Sequence, residues 1–215
     1  MLQFLFLATI ALSSTMQQVR IVAIGDSTTA GTPAFASPLE SPPLGHGDPT
    51  SQYAHWLMQS HPDWEVLNRG VNGERSDQIR ARFDRDVISA RPAVVVVIAG
   101  VNDVYQGREV EHVTGQLRWM YDRAQQAGIR VVAGTILPYD TATPEQTAKM
   151  REINGWIRQQ ADAHPALGFV DTRAVVGAPG KPDTLADSPD HLHPSPSGYR
   201  AMAGAIRPVI EQILR

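Results

Sequence analysis

The sequence contains no cysteine in its 215 residues. Disulfides, thiolate catalysis and cysteine metal ligation are therefore excluded, while any redox compartment remains compatible. A basic surplus is also missing. Nineteen Lys and Arg face 22 Asp and Glu, for a net charge of −3. Nothing in that balance suggests a nucleic-acid partner. No long block of like charge occurs, and neither an internal repeat nor a domain linker is visible. The longest mainly apolar run, residues 1–12, is apolar apart from Gln3 and Thr9 and is too short to span a bilayer. No Gly-x-Ser-x-Gly pentapeptide is present, which removes the nucleophile elbow of ordinary α/β-hydrolases.

That apolar run reads as an export leader. Ala11-Leu12-Ser13 has small residues at the two positions a signal peptidase reads, although no Lys or Arg precedes the run. The chain then divides into a leader or extension, 1–18, and one domain, 19–215. The alternatives are a secreted or periplasmic protein and a cytoplasmic one whose first residues form an extra helix.

With 42% hydrophobic residues the remainder can bury a full core. Ile21-Val22-Ala23-Ile24-Gly25 reads as a buried strand that ends in Asp26-Ser27-Thr28-Thr29-Ala30-Gly31. Residues 32–50 carry five prolines and predict a long loop, either a lid or a surface insertion. A helix is expected over 51–59, with Tyr53, Trp56 and Leu57 on one face and His55 turned away. Trp64 to Asn68 predicts a strand, and 76–84 a helix. Pro92 to Ala99 predicts a central strand, apolar on both faces. A helix over 109–127 closes at Gly128. It is followed by a strand over 129–137, a helix over 144–164 opened by Pro144, and a strand over 167–171. Residues 177–193 read as irregular, and 197–214 as a closing amphipathic helix. This alternation predicts a parallel sheet covered on both faces, in one three-layer α/β/α sandwich.

Ligands of such sheets bind beyond the carboxyl ends of the strands, and Ser27 sits there. A serine nucleophile needs a base, and the base a carboxylate that fixes its tautomer. Asp190-His191-Leu192-His193-Pro194 supplies both groups. Asp190 and His193 are spaced to curl onto each other, and Pro194 restrains His193 to an extended conformation. Asp187 and His191 are rivals in the same segment, so three acid–base pairings stay open. Oxyanion donors are expected at the same edge. They are the N–H of Ser27, the N–H of Gly73 and the side-chain amide of Asn102.

Four blocks in order resemble the SGNH hydrolases of the GDSL esterase/lipase group. They are Gly25-Asp26-Ser27 (with Thr28 where that family's name has leucine), Asn68-Arg69-Gly70-Val71-Asn72-Gly73, Gly100-Val101-Asn102-Asp103 and Asp190-x-x-His193-Pro194. The resemblance implies a flavodoxin-like sheet of five parallel strands and a Ser27-Asp190-His193 triad. It also implies oxyanion donors at Ser27, Gly73 and Asn102, with neither metal nor cofactor. The implied activity is hydrolysis of small-molecule carboxylic esters, with short-chain or acetyl esters favoured. Carbohydrate acetylesterase, lysophospholipase and thioesterase variants stay open. Val101, Val104, Tyr105, Leu137, Pro138 and Tyr139 lie near strand ends and are candidates to line an acyl pocket. No nucleic-acid partner or membrane insertion is expected, and oligomeric state is left open. The rival from another class is a flavodoxin-like binder of flavin or phosphate, with Ser27 to Thr32 as its hydroxyl-rich loop. That reading leaves Asp190, His193 and Asn102 unused. The leader reading predicts that N-terminal sequencing of protein from its native host will find a start near Ser14. An active cytosolic pool beginning at Met1 would contradict it.

Overall fold

The computed structural model describes residues 18–215, so the expected leader lies outside the described residues. Five parallel strands form the central sheet: β1 (Val19–Gly25), β2 (Trp64–Gly70), β3 (Val94–Ile98), β4 (Arg130–Gly134) and β5 (Leu167–Val170), in the spatial order β2-β1-β3-β4-β5. This is the doubly wound order expected of a flavodoxin-like fold. Gly25 pairs in register with Gly70 on one side and Ile98 on the other. The chain therefore leaves β1, β2 and β3 at the same edge.

The period of two along each strand assigns its side chains to two separate cores. Val22, Ile24, Val95 and Val97 point to one face. There they pack against α3 (Ser76–Ala81), α5 (Val110–Gln126) and α6 (Pro144–Ala163) through Ile79, Leu117, Met120, Ile153 and Ile157. Ile21, Ala23, Val94, Val96 and Ile98 point the other way, onto α2 (Tyr53–Ser60) and α8 (Pro196–Ile213) through Tyr53, Leu57, Tyr199, Met202 and Ile206. Helix α6 starts with Pro144 in its first turn and a Thr143–Gln146 capping box. Pro144 marked this helix start in the sequence, and the capping box adds to it.

Several boundaries differ from expectation. The 76–84 helix ends at Ala81 and passes into a wide turn over Asp84–Ile88. The strand expected over 129–137 stops at Gly134, and the peptide groups of Ile136 bond the Asn154 side-chain amide instead of a neighbouring strand. Short helices not foreseen are α1 (Ser27–Ala30), α4 (Val101–Tyr105) and α7 (Thr172–Val176). The stretch expected to be irregular contains a hairpin of Gly177–Ala178 with Lys181–Leu185, turned at Gly180 in a left-handed conformation. Residues 32–50 form a loop containing one small antiparallel pairing, Phe35–Ala36 with His46–Gly47.

Two glycines allow the backbones of this edge to meet. A Cβ on Gly70 would run into the backbone N of Ala30, and one on Gly25 into the carbonyl of Ile98. Gly70→Ala is therefore expected to destabilise by about 1–3 kcal/mol or more in urea unfolding. Gly155, in the middle of α6 with nothing near its missing Cβ, is the control. Gly155→Ala should stabilise by about 0.5–1 kcal/mol.

Candidate active site

Ser27 opens α1, directly beyond β1, and is 4% exposed. The carboxylate of Asp26 caps this short helix by accepting the Thr28 N–H at 3.0 Å. Its second oxygen is buried without a partner. Burial pushes the Asp26 carboxyl up to about 7, against the lowering effect of the Thr28 N–H. Thr28 and Thr29 are buried, and the Thr29 hydroxyl bonds the Tyr53 hydroxyl at 3.1 Å. These hydroxyls serve the interior and are not presented to a phosphate. A carboxylate beside them further opposes an anionic ligand, so the flavodoxin-like reading finds no support here.

His193 arrives from the segment between the hairpin and α8. Its Nδ1 lies 2.7 Å from Asp190 Oδ2, while Asp190 Oδ1 accepts the backbone N–H of His193 at 2.8 Å and of Leu192 at 3.1 Å. Partial burial pushes the Asp190 carboxyl up. The bonds from His193 and Leu192 outweigh that and hold it below the ordinary carboxylate range. His193 is 4% exposed, and its Nε2 is buried with no hydrogen-bond partner among the described residues. Ser27 Oγ likewise makes no hydrogen bond among the described residues, so the serine and the ring are not joined in this state. The rivals are engaged differently. His191, largely exposed, lies with Nδ1 3.2 Å from Asp140 Oδ2. Asp187 is exposed, and its backbone carbonyl accepts Ser195 N–H.

The loop after β2 is held at almost every peptide. Gly70 N–H donates to Asn68 Oδ1, Val71 N–H to the Gly25 carbonyl, Asn72 N–H to Glu40 Oε1 and Glu74 N–H to the Val71 carbonyl. The N–H of Gly73 makes no hydrogen bond among the described residues, and neither does that of Ser27. Gly73 has a φ of +78°. Its conformation, rather than crowding, demands glycine, since nothing lies near its missing Cβ. Asn102, on the first turn of α4, donates one amide hydrogen to the Glu74 carbonyl at 2.9 Å. Its second amide hydrogen remains available. Asp103, the next residue, is fully buried and accepts Ser76 N–H and Ser76 Oγ–H, both at 2.8 Å.

The proposed lining residues separate by burial. Val104 and Tyr139 are each 1% exposed, and Val101 and Leu137 are also core residues. Ser27 and His193, each 4% exposed, are enclosed to a similar degree, so burial does not distinguish packing from contact with a ligand here. Tyr105 alone is open, at 61% exposure, with its ring edge-on to Tyr139 at 5.9 Å.

Asp77, Asp103 and His112 hold potential ligand atoms within 4.8 Å of one another. Both Asp103 oxygens are taken by Ser76 and those of Asp77 by Arg75. These bonds anchor the start of α3.

Sequence reasoning missed three residues that hold the site. Asp140 fixes the histidine segment from the β4 side, accepting Leu185 N–H at 2.9 Å and facing His191, while its own N–H donates to the His191 carbonyl. Arg82 is buried and makes four hydrogen bonds, to Glu74, Asp86 and the carbonyls of Arg69 and Gly25. Glu74 is the third. The available signal was a charged residue, Arg82, on the apolar stripe that contains Ile79 and Phe83.

The GDSL-like Lipase/Acylhydrolase family matches residues 23–201. The chain belongs to that family. An acetylxylan esterase of Geobacillus stearothermophilus is 29% identical over 156 residues, covering 65% of this chain and 69% of that protein. The platelet-activating factor acetylhydrolase IB subunit alpha1 of Homo sapiens is 28% identical over 154 residues, or 69% of this chain. The match spans 65% of that subunit's length. Among solved structures, a GDSL-like lipase from Bacteroides thetaiotaomicron is 25% identical with a TM-score of 0.68, covering 90% of this chain and 88% of that one. The family and the fold agree with the resemblance carried by the four sequence blocks.

The buried Asp26 generates a pH prediction. Its folded pKa is raised, so between about pH 4 and 7 the folded state keeps a proton that the unfolded state has lost. Stability from this group is present at low pH and falls as pH rises through that window. Asp26→Asn keeps an oxygen for the Thr28 cap and does not titrate. Relative to wild type, its unfolding free energy should rise from pH 4 to pH 7 by on the order of a few kcal/mol, then level off. Thermal unfolding of both proteins across pH 4–8 measures this, and a constant difference would refute it.

Proposed function

We propose that this protein is a serine esterase that hydrolyses small carboxylic esters through an acyl-enzyme, with Ser27 as nucleophile, His193 as base and Asp190 orienting the ring. The observation that carries the reading is the buried imidazole whose Nδ1 is committed to Asp190 while Nε2 is unspent. A base so held has one direction left in which to take a proton. Catalytic hydrogen bonds are commonly long in unliganded sites and tighten on binding. The missing Ser27–His193 bond is compatible with that behaviour.

In the proposed cycle, Ser27 Oγ attacks the ester carbonyl carbon and gives its proton to His193 Nε2. The carbonyl oxygen becomes an oxyanion and accepts from the Ser27 and Gly73 N–H groups and the free Asn102 amide hydrogen. Collapse expels the alcohol, which takes the proton from His193. Water then adds to the acyl-serine with His193 again as base, releasing the acid and restoring Ser27. Holding the Asp190 carboxylate against the ring offsets the positive charge that the ring carries twice per turnover.

The acyl group is short on this reading. Both curated relatives carry acetyl-ester hydrolysis in their names. Among the apolar candidates near the site, Tyr105 is the most exposed and is taken as a contact for the alcohol or acyl part. A chain-length series of nitrophenyl esters, run beside acetylated xylan fragments, tests this. Rates should peak at acetyl to butyryl, and rates still rising beyond octanoyl would count against it.

The roles separate by substitution. Asp190→Asn should lower kcat on the order of ten-thousand-fold with the fold intact, and Asp187→Asn far less. Comparable losses in both would overturn the assignment. Asn102→Ala should cost about a hundred- to a thousand-fold in kcat, with KM nearly unchanged. It should still react, slowly, with an organophosphonate that Ser27→Ala cannot take up. A large rise in KM with kcat retained would make Asn102 a ground-state binding residue.

A further inference from the structure

No packing fixes Gly73. Its loop is half open to solvent, and nothing lies within 4 Å of the position a Cβ would take. A donor that acts in a transition state must nevertheless be held close to its productive geometry. The constraint has to come from its neighbours, and Glu74 is the neighbour on which the others converge.

Three bonds meet at this residue. Its carboxylate accepts Arg82 Nε–H at 2.6 Å. Its carbonyl accepts the Asn102 amide at 2.9 Å and so sets the direction of the remaining amide hydrogen. Its N–H closes a turn onto the Val71 carbonyl at 3.4 Å, with Gly73 inside that turn. Arg82 carries the connection inward. Its Nη2 donates to the Gly25 carbonyl at 3.0 Å, two residues before Ser27, and its Nη1 to the Arg69 carbonyl at 2.9 Å. Asp86 Oδ2 accepts a further bond from Nη1, which keeps the guanidinium paired and in place. A planar fork of donors suits such a post, because its bonds leave at fixed angles.

We propose that Glu74, clamped by Arg82, is the positioning residue that sets the three oxyanion donors relative to one another. This rests on the acyl-transfer reading above. Gly73 is placed through the peptide it shares with Glu74, Asn102 through the Glu74 carbonyl, and Ser27 through Arg82 and the Gly25 carbonyl. Glu74 touches no reacting atom. It acts on the rate through the alignment of those that do.

The test is steady-state kinetics with nitrophenyl acetate on Glu74→Ala, Glu74→Gln, Asn102→Ala and the Glu74→Ala/Asn102→Ala double variant, with thermal unfolding of each. Misaligned donors weaken transition-state binding without weakening substrate binding. Glu74→Ala should therefore lower kcat about tenfold and leave KM within about twofold. Glu74→Gln keeps an oxygen for Arg82 Nε–H and should recover kcat to within about threefold of wild type. In the Asn102→Ala background the Glu74→Ala loss should shrink to under about threefold, because one of the donors it sets is already gone. Full activity in Glu74→Ala overturns the proposal. So does a loss that multiplies unchanged into the double variant, or a glutamine variant as slow as alanine. If Glu74→Ala does not fold, Glu74→Asp serves instead, since it keeps the charge but is one methylene short of Arg82. Reduced kcat at unchanged KM supports the role there, and full activity overturns it. Should Asn102→Ala itself run at the wild-type rate, the acyl-transfer reading falls and the positioning role with it. A slow Asn102→Ala beside a fully active Glu74→Ala removes the positioning role alone.

Discussion

The carbonyl of Gly25, the last peptide oxygen of β1, accepts both the Val71 N–H and an Arg82 guanidinium hydrogen. A strand-end oxygen would ordinarily be left to solvent. Here it ties the strand that leads to Ser27 to the loop carrying Gly73 and to Arg82 at the end of α3. Without that junction, β1 and β2 would still pair, but their exits would be free to splay. The bareness of Gly25 and Gly70 serves the same junction. The backbones of α1, β2 and β3 come too close at that edge for any Cβ. Close approach and shared hydrogen bonds together place the first turn of α1 against the second crossover.

The polar frame at this edge is embedded in apolar material, and its strength depends on that. Arg82 is buried with Asp86 and beside Glu74, in surroundings where a pair is worth more than in water and an orphan costs more. The guanidinium therefore cannot be removed singly without stranding carboxylates. Asp26 is the opposite case. Its spare oxygen has no partner, and the chain tolerates this by favouring the neutral carboxyl through much of the acid range. One edge thus contains a charged cluster in which each member is answered and a single acid that is not. Both flank the turn that presents Ser27.

What the sequence revealed of this arrangement followed from periodicity and punctuation. The uninterrupted Val94–Ile98 run, Pro144 behind Thr143 and the amphipathic stripe through Tyr199, Met202 and Ile206 each leave a local pattern, and each element lies where that pattern put it. The blocks around Ser27, Gly73, Asn102 and His193 were visible because every one of them ends a strand or precedes a helix. What stayed hidden depends on single long-range bonds. Nothing near Asp140 says that it will hold a segment fifty residues later, and nothing near Glu40 says that it will reach Asn72. Burial at strand ends was equally opaque. Tyr105 and Tyr139 look alike in sequence, yet one faces solvent and the other fills the core. The hairpin at 177–185 was missed because its Gly and Pro residues mask the strand signal.

The proline-rich segment is tied to the neighbouring loop below its tip. Ser37 Oγ donates to the Gly70 carbonyl at 2.6 Å, and Glu40 bridges the N–H groups of Ser37 and Asn72. Beyond these bonds Pro42, Pro43 and Leu44 project into solvent. Rigidity and variability are thereby assigned to different stretches of one loop. Insertions or exchanges at the tip would leave the Ser37 and Glu40 bonds intact. A loop built this way can take up changes in a few exposed residues at 42–44 while the backbone around Gly70 and Asn72 stays as it is.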